Sequence, residues 1–247
     1  LRYKKIYFFS DVHLGLKSWD EERQKERRVV SFLDSISSDA EEIYIVGDLF
    51  DCWIEYRKVV PKGYYRLLAK LNEMSESGIN INFLSGNHDF WLNTYLQDDV
   101  GLKIFYEPIV RELSGKKFYI SHGDGISHGD IGYKIIKKIL RSRVNQFLYS
   151  LIHPDLGVTL AQASSKKSRD HTESKAFINK GLQTFAEKKI GEGFDFVIMA
   201  HVHKPHEEVL NVNGRTGKFV ILGDWIKNNT YGAYSGTEFE LKYWGHS

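Results

Sequence analysis

Three things are scarce in this chain of 247 residues, and each scarcity narrows what it can be. It has a single cysteine, Cys52, which excludes an intrachain disulfide framework and a thiolate zinc cluster and fits a reducing compartment. It has almost no charge excess: 34 Lys and Arg against 32 Asp and Glu leave a formal +2, too balanced for general nucleic-acid binding by phosphate neutralisation. It also lacks a long hydrophobic run. The first apolar stretch, Ile6 to Phe9, is far shorter than the about 7–15 residues of a signal-peptide core. None approaches the roughly 20 residues of a membrane span. The expectation is a cytoplasmic protein without a nucleic-acid partner, meeting a membrane only from the surface.

What the chain does have is a repeated grammar of short apolar runs that end in polar residues. Ile6-Tyr7-Phe8-Phe9 precedes Ser10-Asp11-Val12-His13, and Ile43-Tyr44-Ile45-Val46 precedes Gly47-Asp48-Leu49-Phe50-Asp51. Ile81-Asn82-Phe83-Leu84 leads to Ser85-Gly86-Asn87-His88-Asp89, and Phe118-Tyr119-Ile120 to Ser121-His122-Gly123-Asp124. Phe196-Val197-Ile198-Met199 leads to Ala200-His201-Val202-His203, and Phe219-Val220-Ile221-Leu222 to Gly223-Asp224. Runs rich in β-branched and aromatic residues read as strands buried on both faces. Layered α/β proteins bind ligands at the carboxyl ends of their strands, so six such endings describe one shared site.

Between the runs, Trp19 to Ser38 and Tyr64 to Glu76 carry apolar residues at helical spacing, with Gly78 closing the second. The charged stretch Glu21 to Arg28 reads as a solvated helix face. Cys52-Trp53-Ile54-Glu55-Tyr56 is too aromatic for an idle loop, and either packs down or lines a ligand groove. Phe90 to Leu96 reads as a short helix, and Ser114-Gly115 as a hairpin turn. Residues 125–190 hold apolar positions at helical spacing among Lys134, Lys137, Lys138, Arg141 and Arg143. They are expected to form a helical lid inserted in a single domain spanning 1–247, the alternative being a helical subdomain that steadies the sheet edge. Pro205 to Trp244 reads as antiparallel strands of a second sheet.

The chemistry follows from the strand endings. Asp11, His13, Asp48, Asn87, His122, His201 and His203 offer carboxylate, imidazole and amide ligands with no thiolate, a set suited to manganese, iron or zinc. Seven ligands exceed the needs of one ion. If Asp48 bridges, Asp11, His13 and His203 complete one site and Asn87, His122 and His201 the other. In Asp11-Val12-His13 and His201-Val202-His203 the polar pair is one residue apart, so extended backbone sends both side chains to one side. Two such ions suit in-line attack on phosphorus. His88 is then placed to donate to a phosphate or leaving oxygen, with Asp89 holding its tautomer.

These five blocks resemble, in order and interval, those of the calcineurin-like metallophosphoesterases. The resemblance spans residues 4–224 and implies a four-layer αββα sandwich, an α/β fold, with a dinuclear metal site; Ala200 stands where the family more often has Gly. Gly47-Asp48-Leu49-Phe50 with Trp53-Ile54, His122-Gly123-Asp124 and a basic lid carrying Ser164-Ser165-Lys166 look like the subfamily that cleaves UDP-2,3-diacylglucosamine to UMP and a lipid monophosphate in lipid A biosynthesis. That likeness implies metal-bound hydroxide attacking the α-phosphorus, two Mn2+ ions with Fe2+ or Zn2+ as alternatives, and peripheral residence on the anionic cytoplasmic face of the inner membrane. It makes Asn87, His88, Tyr133, Ser165, Lys166 and Lys175 candidate substrate contacts. Better-known members carry Arg where this chain has His88. The competing expectations are a phosphodiesterase or nucleotide pyrophosphatase acting on small soluble substrates, and a non-catalytic scaffold of the same fold.

Overall fold

In a computed structural model, residues 4–126, 139, 141–161, 163 and 177–245 are described. The six apolar runs form strands, and the chain builds two stacked sheets. The first has the order β11-β10-β1-β2-β3-β4, with β1 at Lys5–Phe9, β2 at Ala40–Val46, β3 at Asn80–Leu84, β4 at Lys103–Phe105, β10 at Thr230–Tyr234 and β11 at Phe239–Tyr243. The second has the order β5-β6-β7-β9-β8, with β5 at Ile109–Leu113, β6 at Lys116–Ile120, β7 at Phe196–Met199, β8 at His206–Val212 and β9 at Arg215–Ile221.

Alternation along each strand sends successive side chains to opposite layers. Ile6, Phe8, Tyr44 and Val46 meet Phe118, Ile120, Ile198 and Val220 between the sheets. Tyr7, Phe9, Ile43 and Ile45 face the other way, onto Val29, Phe32 and Leu33 of helix α1 (Trp19–Ile36) and Leu67 and Leu71 of α2 (Tyr65–Glu76). On the far side, Tyr119, Val197, Met199 and Ile221 pack on Leu182, Ala186 and Ile190 of the helix Phe177–Gly191. The layers are therefore helix, sheet, sheet, helix.

Four expectations change. The last quarter does not form one sheet: β8 and β9 join the second, while β10 lies antiparallel on β1 and carries β11 with it. The stretch 125–190 is not all lid, because its final helix, Phe177–Gly191, is the fourth layer, held by burial of Leu182, Ala186 and Ile190. The short helix is Tyr95–Asp98 rather than Phe90 to Leu96, since Glu55 takes the backbone N–H groups of Asn93, Thr94 and Tyr95 and fixes where it starts. The charged face of α1 is not solvated throughout. Glu22, Lys25 and Glu26 are buried, Glu22 accepting the N–H groups of Gly15 and Lys17 and Glu26 those of Arg66 and Leu67.

Of the stretch expected to be a lid, Arg143–Ser150 and residues 154–161 are helical. The aromatic stretch after Asp51 packs down, with Trp53, Ile54 and Tyr56 buried, and forms the seat on which these helical segments rest. Tyr56, Ile54 and Trp91 meet Tyr149 and Ala161. The Tyr56 ring lies so close to Gly157 that a side chain there would collide with it.

Candidate metal centre

Backbone conformation at the strand ends departs from what side chains prefer. Asp11, His13, Asp48, His201 and His203 all have positive φ, between 48° and 72°. Such a left-handed residue costs on the order of 1–3 kcal/mol, and five among proposed ligands mark a site where geometry is imposed by the fold. Gly47, at φ 83°, supplies the tight turn before Asp48, and a Cβ there would strike the His122 ring.

Each carboxylate is fixed by one oxygen and presents the other. Asp11 Oδ2 accepts the N–H of His201 at 3.1 Å, and Asp48 Oδ1 that of His88 at 2.9 Å. Asp11 Oδ1 then faces His203 Nε2 at 3.3 Å and His13 Nε2 at 3.7 Å. Asp48 Oδ2 lies 3.6 Å from His13 Nε2 and 3.3 Å from His122 Nε2. His122 Nε2 is also 3.1 Å from Asn87 Oδ1, and its ring stands 5.2 Å, centroid to centroid, from that of His201. All seven ligands expected from sequence thus fall in one cluster, with an oxygen of Asp48 between its two halves.

The electrostatics are those of a site built around positive charge. Burial works to raise the Asp11 carboxyl, but the His13 and His203 rings overcome it and hold it well below the usual range. Asp48 is likewise held low against burial by the charges of His122 and His88. Burial would lower His13 and His122, yet the adjoining carboxylates raise them to about 9 and about 10. His201 goes the other way, lowered to about 4 by burial and the charge of His122, which keeps its ring neutral.

The donor set fits divalent cations. Asp11 Oδ1 is buried and accepts no well-aligned hydrogen bond, ringed instead by imidazole nitrogens. Three sets of side chains approach closely enough to share an ion: Asp11, His13 and His203; Asp48, His122 and His201; and His13, Asp51 and His88. His122 Nδ1 sits 2.9 Å from the carbonyl of Val46, which can only accept, so Nε2 is the nitrogen that would give its lone pair to an ion in exchange for its proton.

The family model for calcineurin-like phosphoesterases matches residues 4–205. The chain belongs to that family. It is 36% identical over 256 residues to a UDP-2,3-diacylglucosamine hydrolase of Porphyromonas gingivalis, covering 96% of this chain and 97% of the relative. Hydrolases of the same name from Stutzerimonas stutzeri and Pseudomonas aeruginosa are each 30% identical, over 89% of this chain and 90% of theirs. As a calcineurin-like phosphoesterase the protein is a metal-dependent hydrolase, and the His and Asp cluster is the part of it suited to hold the ions.

One residue is placed differently from expectation in this phosphoesterase. Asp89 does not hold the His88 ring. Its carboxylate accepts the N–H groups of Gly86 at 2.8 Å and of Asp48 and Phe50 at 3.2 Å each, binding the second strand end to the third. Burial and the charge of Asp48 push it up to about 7. The His88 ring instead has Nδ1 3.1 Å from the carbonyl of Asp51, which assigns the proton to Nδ1 and leaves Nε2 an acceptor.

Three more residues belong to the site. Asp51 Oδ1 lies 3.3 Å from His13 Nδ1 and is signalled only by closing the second block. Asp224 accepts the N–H groups of Ile226, Lys227 and Asn228, and its other oxygen is 4.0 Å from His203 Nδ1. Arg141, read from sequence only as one of the basic residues among the apolar positions of 125–190, reaches back to the carbonyl of Gly86 at 3.2 Å and that of Tyr106 at 3.1 Å. No spacing rule signals it. Tyr133, Ser165, Lys166 and Lys175, the lid contacts implied by resemblance, lie outside the described residues.

Proposed function

We propose that this phosphoesterase hydrolyses the pyrophosphate bond of UDP-2,3-diacylglucosamine, giving UMP and 2,3-diacylglucosamine 1-phosphate, with Asp11, His13, Asp48 and His203 holding one divalent ion and Asp48, Asn87, His122 and His201 the other. The observation that carries the chemistry is the single oxygen of Asp48 poised between His13 and His122. The substrate reading rests on the three UDP-2,3-diacylglucosamine hydrolases that it resembles along nearly its whole length. It is also supported by the lid, which leaves Val144, Phe147, Leu148 and Leu151 exposed by 56–70%. Such a run of bare apolar side chains marks a surface for an apolar ligand or partner.

When bound, manganese or a similar divalent ion supplies a more acidic water and neutralises phosphoryl charge. The chain's own residues do the rest. Asp89 and Gly47 fix the turn that delivers Asp48. Asn87 is set beside the cluster to orient a phosphoryl oxygen through its amide. The Arg141 guanidinium, seated on Gly86, adds positive potential where the pyrophosphate must lie. Burial lowers the His88 pKa, and its Nδ1 faces the Asp51 carbonyl. Its Nε2 can therefore take a proton and return it to the departing oxygen.

Release of UMP from detergent-dispersed UDP-2,3-diacylglucosamine by manganese-loaded protein, beside UDP-N-acetylglucosamine, tests this reading. Rapid cleavage of the lipid alone is expected. Turnover of small phosphodiesters with an inert lipid would move the protein to the soluble phosphodiesterases.

A further inference from the structure

We infer that the nucleotide half of the substrate is received in a basic cleft between α1 and the turn after β9, at the end of the metal centre opposite the lid. This rests on the proposed function and deepens it by assigning a subsite.

The cleft measures about 240 Å³ and is lined by Lys17, Glu21, Gln24, Lys25, Arg28 and Ile226. Both walls are tied to the metal centre. Lys25, only 4% exposed, donates from Nζ to the carbonyl of His13 at 2.6 Å and pairs with Glu22 at 3.1 Å. Across from it, Ile226 belongs to the turn organised by Asp224, in which Asn228 Nδ2 donates to the carbonyl of His203 at 2.9 Å. The cleft therefore abuts the half of the cluster made by Asp11, His13 and His203. The lid touches the other half, through Arg141 on Gly86, next to Asn87.

A diphosphate whose reacting phosphorus sits between the two halves sends its lipid end and its nucleoside end in different directions. The apolar surface lies with the lid, so the polar cleft takes the nucleoside end. Its chemistry suits that ligand. Lys17 stands 3.6 Å from Glu21, which also accepts from the Ser18 hydroxyl at 2.6 Å, and Lys25 is balanced by Glu22 behind it, so the positive charge left for a ligand is that of Arg28. Arg28 makes no ion pair among the described residues. Gln24 offers the donor and acceptor that a uracil edge requires, and Ile226 an apolar contact for the ring face. The volume falls below the about 300–1,000 Å³ of sites that enclose a whole drug-sized ligand, as expected for one end of a longer substrate.

The test is calorimetric titration of UMP into manganese-loaded protein. Lys17 and Arg28 are exposed, so the Lys17→Ala/Arg28→Ala double variant keeps its thermal midpoint and is expected to bind UMP at least about tenfold more weakly. The charge-preserving Lys17→Arg/Arg28→Lys pair should bind like the parent, and Gln24→Ala should lose affinity without altering net charge. Equal UMP affinity in parent and double variant, or no UMP binding by the parent, overturns the subsite. The lipid assay is judged separately. Protein that binds UMP with this dependence but leaves the lipid intact keeps the cleft and loses the lipid substrate, whereas lipid cleavage with unaltered UMP affinity does the reverse.

Discussion

Asp48 divides its two oxygens between structure and chemistry, one held by the His88 amide and the other facing both His13 and His122. Without cations, that oxygen and Asp11 are balanced by imidazolium, which is why His13 and His122 rise to about 9 and about 10. A histidine raised in the folded state binds more protons folded than unfolded above its ordinary value of about 6.5. Its contribution is complete below that value and disappears as pH climbs through 9 and 10. Metal-free protein should therefore lose thermal midpoint steadily between pH 7 and pH 10, while manganese-loaded protein, its rings ligated and already deprotonated, should lose little in that window. Thermal melts with chelator and with manganese check this. Parallel curves would show that the two histidines carry no proton in the metal-free state.

At the scale of elements, the lid rests on the core by the contact of Gly157 with Tyr56 and by Arg141 on Gly86. Gly157→Val places a branched side chain against the Tyr56 ring and should lift residues 154–161 off their seat. Cleavage of the diacyl substrate is expected to fall by about tenfold or more, since a displacement near 1 Å can cost about 10²-fold. A chromogenic phosphodiester too small to need the lid should react nearly as before. Equal loss on both substrates would make the lid a part of the core. The helices and strands that matter here were largely legible, because each chemical block is local to one strand end and its apolar run announces it. Sheet membership was not legible. Nothing local in Thr230–Tyr234 says that it pairs with β1 rather than β9, since that choice is made by Phe8, Tyr234 and Phe239 meeting between the sheets. Glu22, Lys25 and Glu26 misled for a related reason: their partners are backbone groups of residues 13–17 and 66–67, which no helical wheel contains. The candidate ligands could be named because several blocks coincide, whereas Arg141 acts alone and leaves no pattern.

Over the whole molecule, bare apolar and aromatic side chains recur within residues 144–160, at Val59 and at the starts of α1 and α2. The lid's Leu148, Leu151, Leu156 and Leu160 are exposed, and Tyr56 connects that lid to the loop carrying Val59. Trp19 lies 3.9 Å from the place a side chain on Gly63 would occupy, and it and Tyr65 are 65% and 61% exposed. Arg57, Lys58 and Lys62 stand among them, exposed. Aromatic rings mixed with Lys and Arg suit the headgroup layer of an anionic membrane. No helix among the described residues is long and apolar enough to cross one, so the association expected is peripheral. Vesicles containing phosphatidylglycerol should sediment the protein, neutral vesicles should not, and Trp19→Ala/Tyr65→Ala should weaken the binding. Equal sedimentation with both kinds of vesicle would remove the electrostatic part of this account.

The hydrogen bond from the His201 amide to Asp11 joins positions 190 residues apart. During synthesis the first ligand leaves the ribosome long before the residues that hold it in place. A chain that stops between Asn87 and β7 has Asp11, His13, Asp48 and Asn87 in hand, yet lacks His201 and His203. The set of candidate ligands is thus complete only once β7 and the turn after it have been made.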